Sequence, residues 1–461
     1  MITARRLDRV HEYYFSKKLR EVHAMIAEGK PVINMGIGSP DLPPPQEVVD
    51  ALHNSMSHPT AHKYQSYQGI PALREALADF YQNKYDVALN PANEILPLLG
   101  SKEGIMHISM AFLNPGDQVL VPNPGYPTYT SVTRLVEAEP VFYNLDEKNH
   151  WQPNLDELKS LDCTKIRLMW INSPHMPTGT SIDSQLLGDL IAWAAQNEIL
   201  LVNDNPYSFV LTDHPKSIFQ NQKDKSNIME LNSLSKSFNM AGWRMGMLSG
   251  SKDNINHVLK VKSNMDSGMF YGIQQGAIAA LQQPQAWFDH NNAVYQERRE
   301  QVWKLAEAMG CIFSRNNSGM FVWAKLPEGH TNSEDFIDEL LQEKHIFLAP
   351  GTIFGSAGQG YIRFSLCVSQ SILTLPWYRL RMAASGPENS VPAIGWHAKN
   401  CSRFGCSDTD SQIAVLVEPI SMTNVFGPIA SSTLGKISTV AVTGITKETK
   451  SMAFISSIVD W

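Results

Sequence analysis

Short apolar runs alternate with helix-like segments between about residues 45 and 250, and this alternation constrains the fold most strongly. Five runs have the length and composition of buried strands, at residues 94–99, 118–121, 140–143, 166–171 and 199–202. Amphipathic patterns typical of helices lie between them, for example over residues 71–84 and 184–196. Strands that alternate with helices in this way predict an α/β fold with a mostly parallel sheet covered by helices on both faces.

A smaller second domain is predicted towards the carboxyl end. A long helix is expected near residues 292–309, and strand-like segments follow it. Residues 360–365, Gly-Tyr-Ile-Arg-Phe-Ser, alternate polar and apolar side chains, as an edge or half-buried strand does. We therefore expect a large domain over residues 46–285 and a smaller α/β domain over residues 286–370.

Composition argues against several classes of partner. The 461 residues are 43% hydrophobic, which suits a globular protein of two or three domains, and the net charge of −7 gives no basic footprint for nucleic acid. No secretory signal is visible in the first 22 residues, which are charged and predict a short helix, and no apolar run approaches the roughly 20 residues that span a bilayer. The five cysteines lack regular spacing, so we expect a cytoplasmic protein without a metal site.

One lysine carries the clearest chemical signal. Residues 233–246 read Ser-Leu-Ser-Lys-Ser-Phe-Asn-Met-Ala-Gly-Trp-Arg-Met-Gly, which places Lys236 among hydroxyl side chains and ahead of Arg244. A lysine amine forms a Schiff base with an aldehyde, while Ser233, Ser235 and Arg244 suit a phosphate through charge-assisted hydrogen bonds. The segment therefore predicts a site for an aldehyde cofactor that carries a phosphate. An ordinary polar loop is the alternative for this segment taken alone.

Two further segments lie where a parallel sheet places ligand chemistry. Asp204 follows the apolar run 199–202, at the carboxyl end of a predicted buried strand. Gly100, Ser101 and Lys102 precede the apparent helix 105–112, and the free N–H groups of a helix start favour a phosphate. The alternative for Asp204 is a helix N-cap, which is common after a strand.

Taken in order, these segments resemble the pyridoxal phosphate (PLP) site of class I/II aminotransferases, which are fold-type I PLP enzymes. The resemblance covers about residues 5–370. It implies that Lys236 holds the cofactor, that Asp204 keeps the pyridine nitrogen protonated, and that Tyr207 hydrogen-bonds the ring hydroxyl. Tyr126 is expected to stack on the ring. The residues expected around the phosphate are Gly100, Ser101, Lys102, Ser233, Ser235 and Arg244.

The same resemblance assigns the substrate side of the site. Arg363 matches the arginine that binds the substrate α-carboxylate, to which a guanidinium fork is well suited. Gly38 lies in a segment expected beside that carboxylate, and Asn172 is a further substrate-binding candidate. Tyr64 matches a tyrosine that reaches the phosphate of a neighbouring subunit, so a homodimer with shared active sites is implied. Residues 1–45 are expected to form an arm that packs on the small domain.

One position departs from the family pattern. Residues 172–179 read Asn-Ser-Pro-His-Met-Pro-Thr-Gly where the family usually has Asn-Pro-Thr-Gly, so Met176 stands in place of an asparagine. That asparagine hydrogen-bonds the cofactor ring hydroxyl and the substrate carboxylate, whereas a thioether is a weak acceptor and cannot donate. Losing such a bond costs about 1.5–3 kcal/mol, which alters affinity without abolishing the site. Compensation by His175 or Asn172 is left open.

The resemblance implies transamination by a ping-pong mechanism, in which an L-amino acid gives up its amino group and a 2-oxo acid then receives it. Lys236 is expected to move the α-proton, provided that burial and Arg244 lower its pKa. A PLP-dependent lyase or decarboxylase on the same fold is the alternative. Met176 leaves a catalytically weakened PLP-binding protein as another. The amino donor and the oxo acid acceptor stay open.

Residues 371–461 depart from the family pattern as a whole. Relatives end in one amphipathic helix, whereas Pro376 interrupts the segment here, and the residues that follow are rich in Ser, Thr and Gly with little charge. An added module is one interpretation, because residues 412–417 and 437–442 have strand-like composition. We favour the other interpretation, an out-of-frame continuation that was never selected for folding.

Overall fold

The structure, a computed structural model, describes residues 3–10, 14–373 and 376. Its strands are β1 (Ile33–Asn34), β2 (Ile95–Leu98), β3 (Gln118–Asn123), β4 (Glu139–Asn144), β5 (Ile166–Asn172), β6 (Leu200–Asp204), β7 (Ile228–Ser233), β8 (Gly246–Gly250), β9 (Ile312–Phe313), β10 (Phe321–Lys325), β11 (Ile346–Phe347), β12 (Ala349–Pro350) and β13 (Tyr361–Ser365). Its α-helices are α1 (Tyr14–Ala27), α2 (Gln46–Ser55), α3 (Pro71–Tyr85), α4 (Ser101–Phe112), α5 (Pro127–Leu135), α6 (Leu155–Lys159), α7 (Ser184–Gln196), α8 (Leu234–Ser237), α9 (Lys252–Lys262), α10 (Tyr271–Leu281), α11 (Gln285–Ala308) and α12 (Ser333–Lys344). Short 3-10 helices cover Arg5–Arg9, Ala241–Trp243, Gly351–Phe354 and Ser356–Gly358.

The central sheet has seven strands in the order β2-β8-β7-β6-β5-β3-β4. The strands from β7 to β4 are parallel to their neighbours, whereas β8 runs antiparallel to both β7 and β2. Helices connect the parallel strands, as α5 does between β3 and β4 and α7 does between β5 and β6. The prediction of an α/β fold with a mostly parallel sheet flanked by helices is confirmed.

Both faces of this sheet are buried. Along β5, Leu168 and Trp170 pack into one hydrophobic cluster, whereas Met169 and Ile171 pack into a second cluster on the other face. Successive side chains of a strand point to opposite faces, so a strand that is buried on both sides must be apolar at nearly every position. This requirement explains why such strands are visible in the sequence as continuous apolar runs.

A four-stranded antiparallel sheet, in the order β12-β13-β10-β9, follows in the carboxyl-terminal part of the described chain. The prediction of an edge or half-buried strand over residues 360–365 is wrong, because β13 lies between β12 and β10 and is buried from Ile362 to Ser365. Arg363 makes this strand look half polar in the sequence. Its guanidinium is nevertheless buried, with its Cζ 3.9 Å from the centre of the Phe321 ring.

The amino-terminal segment contributes to the core of this second region. β1 pairs in parallel with β11, and the Met35 N–H donates to the Phe347 carbonyl at 2.8 Å. The Met35 carbonyl in turn accepts from the Ser365 N–H at 2.8 Å. Val22 and Met25 of α1 are buried in the same hydrophobic cluster as Phe347. The position of α1 is therefore set by burial of its apolar face.

Two strands of the central sheet gave no clear sequence signal. β7 carries Glu230 and Asn232, which are buried although they are polar. The Glu230 carboxylate accepts hydrogen bonds from the Tyr81 hydroxyl, the Ser217 hydroxyl and the Ile218 N–H, which satisfy it inside the fold. β8 is short and bounded by glycines at both ends, so its apolar signal is weak.

Other differences concern the ends of elements. The long helix predicted near residues 292–309 begins earlier, as α11, and the segment 1–22 contains a 3-10 helix and the start of α1 rather than one short helix. The strand-like segments 412–417 and 437–442 lie outside the described residues. In the described part of the chain, no helix is long and apolar enough to cross a bilayer.

Candidate active site

The carboxyl ends of the parallel strands gather the predicted site residues. β5 ends at Asn172 and β6 ends at Asp204, and these two residues lie opposite each other in the strand register. β7 ends at Ser233, and α8, which carries Lys236, follows at once. Because parallel strands share one carboxyl edge, residues that are far apart in the sequence meet there.

A cavity of about 430 Å³ opens at this edge. The predicted site residues that line it are Gly38, Ser101, Lys102, Tyr126, Asn172, Asp204, Tyr207, Ser233, Ser235, Lys236, Arg244 and Arg363. Gly100 and Tyr64 are the predicted site residues outside this lining. Gly100 packs against the Arg244 side chain, whereas Tyr64 is 92% exposed.

Lys236 places its amine inside the cavity. Its Nζ donates a hydrogen bond to the Gly38 carbonyl at 2.5 Å and lies 6.0 Å from the centre of the Tyr207 ring. Burial lowers the pKa of Lys236; the Cys367 thiol opposes this shift, while the positive charges of Arg363 and Arg244 add to it. A lysine with a lowered pKa holds more of its amine in the neutral form, which is the form that acts as a nucleophile or base.

Asp204 presents a carboxylate that is only partly satisfied by the protein. Its Oδ2 accepts a hydrogen bond from the Tyr129 hydroxyl at 2.9 Å. Its Oδ1 is buried and has no hydrogen-bond partner among the residues that the structure describes. Burial raises the pKa of Asp204 to about 6, an effect that the bond from Tyr129 reduces and the charge of Glu230 increases. A buried carboxylate of this kind is completed by a cationic donor in the cavity.

The donors around Arg244 form an anion-binding corner. Gly100 has φ +89°, and a Cβ atom there would lie 2.1 Å from Arg244 Nη2, so the guanidinium packs against bare backbone at the start of α4. Ser233 caps α8: its Oγ accepts from the Ser235 N–H at 3.2 Å and donates to Ser235 Oγ at 2.9 Å. A guanidinium, two hydroxyl groups and a helix start together suit a phosphate.

Arg363 lies in an aromatic setting. Its Nη2 donates to the Gly36 carbonyl at 2.7 Å, and its Nη1 lies 3.3 Å from the Met176 sulfur. The ring centres of Phe321 and Phe354 are 3.9 Å and 4.7 Å from its Cζ. The rings restrict the rotation of the guanidinium and leave it facing the cavity, where a carboxylate is the anion that matches its fork.

The aminotransferase class I and II family model matches residues 30–374. The chain belongs to this family. It is 37% identical to LL-diaminopimelate aminotransferase from Aquifex aeolicus over 386 residues, which are 83% of this chain and 98% of that protein. It is 38% identical to the enzyme of the same name from Dehalococcoides mccartyi over 370 residues, 80% of this chain and 95% of that one.

Solved structures agree with this family membership. The apo-BacF structure from Bacillus subtilis superposes with a TM-score of 0.80 at 34% identity, covering 83% of this chain and 98% of that one. The aspartate aminotransferase of Thermotoga maritima gives a TM-score of 0.77 at 28% identity, covering 83% and 100%. The prediction of an aminotransferase of fold type I is confirmed. Enzymes of this family depend on PLP, and their substrates are amino acids and 2-oxo acids.

In this aminotransferase, neither Asn172 nor His175 compensates for the family asparagine that Met176 replaces. The Asn172 amide is engaged at both ends, donating to the Asp204 carbonyl at 2.6 Å and accepting from the Met176 N–H at 2.7 Å. His175 lies outside the cavity lining and contacts the Thr178 hydroxyl at 2.8 Å through Nδ1. Burial lowers the pKa of His175 to about 4.

Several residues of the aminotransferase site were not predicted from the sequence. Tyr129 donates to Asp204 and stacks on Trp170, with ring centres 5.1 Å apart. Tyr129 lies three residues after Tyr126, the N-cap of α5, and this spacing could have identified it, since residues three apart lie on one side of a helix. Phe15 and Phe321 also line the cavity, and no local signal distinguishes them from ordinary core residues.

A cluster of possible metal ligands lies outside the cavity. Glu103 and His107 of α4 meet Asp266 with ligand atoms within 4.8 Å of one another. The Asp266 carboxylate already accepts two hydrogen bonds from Lys262 Nζ, at 2.8 Å and 2.7 Å. Because the lysine ammonium supplies the positive charge there, we assign this cluster to structural ion pairing, and the absence of a metal site stays a prediction.

Proposed function

We propose that this aminotransferase binds PLP in the cavity at the carboxyl edge and transfers an amino group from an L-amino acid to a 2-oxo acid. One observation carries the proposal: the amine of Lys236, the carboxylate of Asp204 and the guanidinium of Arg363 line the same cavity. Each of the three supplies a different requirement of transamination, namely a base, a partner for the ring nitrogen and a carboxylate clamp.

Two features of the cavity fit the cofactor independently of the family. The buried Asp204 Oδ1 lacks a donor among the described residues, and a protonated pyridine nitrogen supplies one. The bare backbone of Gly100 leaves room for Arg244 beside the start of α4, which suits the phosphate. Tyr126 is proposed to lie against the ring face and Tyr207 to donate to the ring hydroxyl.

Different residues of the protein are proposed to carry out different parts of transamination. When bound, PLP withdraws electrons from the substrate α-carbon after that carbon loses its proton. Lys236 Nζ takes that proton and later returns it, and burial of the amine favours its neutral form by lowering its pKa. Arg363 binds the α-carboxylate and thereby fixes which substituent of the α-carbon faces Lys236.

The remaining assignments are proposals on the same footing. We assign residues 1–45 to the arm, 46–285 to the large domain and 286–370 to the small domain. We also propose a cytoplasmic homodimer in which Tyr64 of each subunit contributes to the phosphate site of the other. The high exposure of Tyr64 in the single chain supports this arrangement, because an aromatic side chain with a partner-facing role is left uncovered when the chain is alone.

Absorbance spectroscopy of the PLP-loaded protein tests the proposal. Wild type is expected to form the lysine-linked absorbance band of PLP, and the band is expected to convert to the pyridoxamine form with suitable L-amino acids. Lys236→Ala is expected to abolish the band, while Lys165→Ala, which removes an exposed lysine, keeps it. An unchanged band in Lys236→Ala, in folded protein, refutes the assignment. The amino acid panel includes LL-diaminopimelate because of the names of the relatives.

A further inference from the structure

The cavity lining includes an apolar wall, part of which lies beside Arg363. This apolar wall consists of Phe15, Leu19, Ile37, Met176, Phe321 and Phe354. Three of its rings surround the guanidinium, with centres 3.9 Å, 4.7 Å and 5.8 Å from Arg363 Cζ for Phe321, Phe354 and Phe15. A substrate whose carboxylate binds Arg363 therefore has its side chain within reach of these groups.

Each cationic residue of the cavity lining already has a role in the proposed site, at the phosphate, the α-proton or the α-carboxylate. The charged lining residues in the described part of the chain are Lys102, Asp204, Lys236, Arg244 and Arg363. Asp204 is the one carboxylate in that set, and it is buried against Tyr129 at the end of β6. LL-diaminopimelate carries a second ammonium and a second carboxylate at its far end, so its distal ammonium lacks a carboxylate partner in this lining.

We propose that the substrates of this aminotransferase are amino acids and 2-oxo acids with uncharged, apolar side chains, selected by the apolar wall. The inference rests on the proposed function, since it concerns the same cavity. Two of the wall residues, Phe15 and Leu19, belong to α1. The amino-terminal helix therefore determines specificity, although it lies far from Lys236 in the sequence. Binding an apolar side chain there removes it from water, whereas a charged one loses its hydration without a partner.

A homologous series of substrates tests the inference on the PLP-loaded, full-length enzyme. The L-enantiomers of 2-aminobutyrate, norvaline and norleucine add one methylene each, and kcat/KM is expected to rise about fourfold per methylene. The kcat/KM values for L-aspartate and LL-diaminopimelate are expected to be at least about 100-fold lower than that for norleucine, because binding removes their distal charges from water. A flat series, or LL-diaminopimelate converted as well as norleucine, overturns the inference.

A charge placed in the wall provides the second test. Leu19→Arg is expected to lower kcat/KM for norleucine at least about tenfold and to raise that for L-glutamate, because its guanidinium can pair with a distal carboxylate. Ala24→Arg is the matched control, since it adds the same charge to the exposed side of α1. If the two variants change kcat/KM for norleucine and L-glutamate equally, the apolar wall does not select the substrate.

Binding without turnover separates this inference from the proposed function. In the PLP-loaded enzyme, 3-phenylpropanoate is expected to raise the melting temperature and glutarate is expected to leave it unchanged. If glutarate stabilises the enzyme as well as 3-phenylpropanoate does, the inference fails. If LL-diaminopimelate is the preferred donor, transamination stands and the inference alone fails; if no amino acid is converted, both fail.

Discussion

Asp204 illustrates how a residue whose charge is disfavoured by burial can serve a function. The carboxyl group sits at the end of a buried strand, where only Tyr129 donates to its side chain among the described residues. Burial raises the pKa of Asp204 to about 6, which means that the fold disfavours its negative charge. A cationic ligand that binds Oδ1 relieves this penalty, so affinity for a protonated ring nitrogen and instability of the ligand-free site have the same origin.

Asp204→Asn is therefore expected to stabilise the PLP-free protein at neutral pH. As pH rises from about 4 to 6, the unfolded chain releases a proton that the folded Asp204 retains, so the free energy of unfolding of wild type falls across this range. Between pH 4 and pH 7, the free energy of unfolding of Asp204→Asn should therefore rise by on the order of 3 kcal/mol relative to that of wild type.

Urea unfolding of the PLP-free protein at pH 4 and pH 7 measures this gain. Asp189→Asn, at an exposed position of α7, is the control and should show no such pH-dependent gain. PLP should stabilise wild type more than Asp204→Asn. If Asp204→Asn stabilises the protein equally at both pH values, the buried charge of Asp204 is not the cause of the stabilisation.

Met176 is the residue at which this chain departs from its family. Met176→Asn restores an amide that can donate to the substrate carboxylate and is expected to lower KM about ten- to 100-fold, as a hydrogen bond of about 1.5–3 kcal/mol implies. Met176→Leu keeps the volume without the sulfur beside Arg363, and its KM should change only a few-fold. Steady-state kinetics on one amino acid donor compare the two. A KM that is unchanged in Met176→Asn would show that the fold has compensated for the methionine.

At the level of elements, the turn before α4 shows why a loop glycine matters. Gly100 combines φ +89° with close approach of Arg244, so an added Cβ is disfavoured twice. Gly116 has nearly the same φ, +86°, and no atom within 4 Å of the Cβ that would be added. An alanine at either position strains the backbone, but only an alanine at position 100 would also displace Arg244. Comparing the two substitutions therefore separates the two effects.

Gly100→Ala is expected to weaken PLP binding at least about tenfold, whereas Gly116→Ala should change only stability, by about 1–2 kcal/mol. Titration of PLP by absorbance gives the affinities, and thermal unfolding gives the stabilities. If both variants bind PLP equally well, the contact between Gly100 and Arg244 does not support the phosphate site.

At the scale of the whole molecule, one ion pair ties the amino-terminal segment to α11. The Arg298 side chain is only 4% exposed, and its guanidinium donates to both carboxylate oxygens of Asp41, at 2.6 Å and 2.9 Å. Asp41→Ala leaves this buried charge without its carboxylate and is expected to cost about 2–4 kcal/mol, reduced from the fully buried case because Asp41 is partly exposed. The double variant Asp41→Ala/Arg298→Met should cost less than Asp41→Ala alone. Chemical denaturation measures the free energy of unfolding of both variants, and a double variant that is less stable than Asp41→Ala would contradict the pairing.

Shared active sites are the second whole-molecule prediction. Tyr64→Ala and Lys236→Ala are each expected to be inactive or nearly so as homodimers. Mixed dimers should regain up to about a quarter of wild-type activity across the whole population, since half of random dimers are hybrids and each hybrid has one intact site. A chain with both substitutions, mixed with wild type, is the control, because its hybrids contain no intact site if Tyr64 acts across the interface. No recovery in the first mixture contradicts a role for Tyr64 in the partner's site.

Much of the central sheet, and the chemistry at its carboxyl edge, could be predicted from the sequence alone. Strands buried on both faces must be apolar throughout, so β3, β5 and β6 were visible as runs. The residues after them, such as Asp204, had to meet because parallel strands end at one edge. Lys236 needed no tertiary information, since its setting of hydroxyl groups and a nearby arginine is local.

The distant side chains that complete the site are brought together by packing and could not be predicted from the sequence. β7 could not be predicted as an apolar run because it carries Glu230. The hydrogen-bond partners that allow Glu230 to be buried, among them Tyr81, come from other parts of the chain. Arg363 looks solvent-facing in sequence but is buried, because the rings that cover it come from three separate elements. The wall residue Phe15 reaches the cavity because α1 packs into the core of the second sheet. Contacts between elements far apart in the chain leave no periodic signal in it, so packing alone sets them.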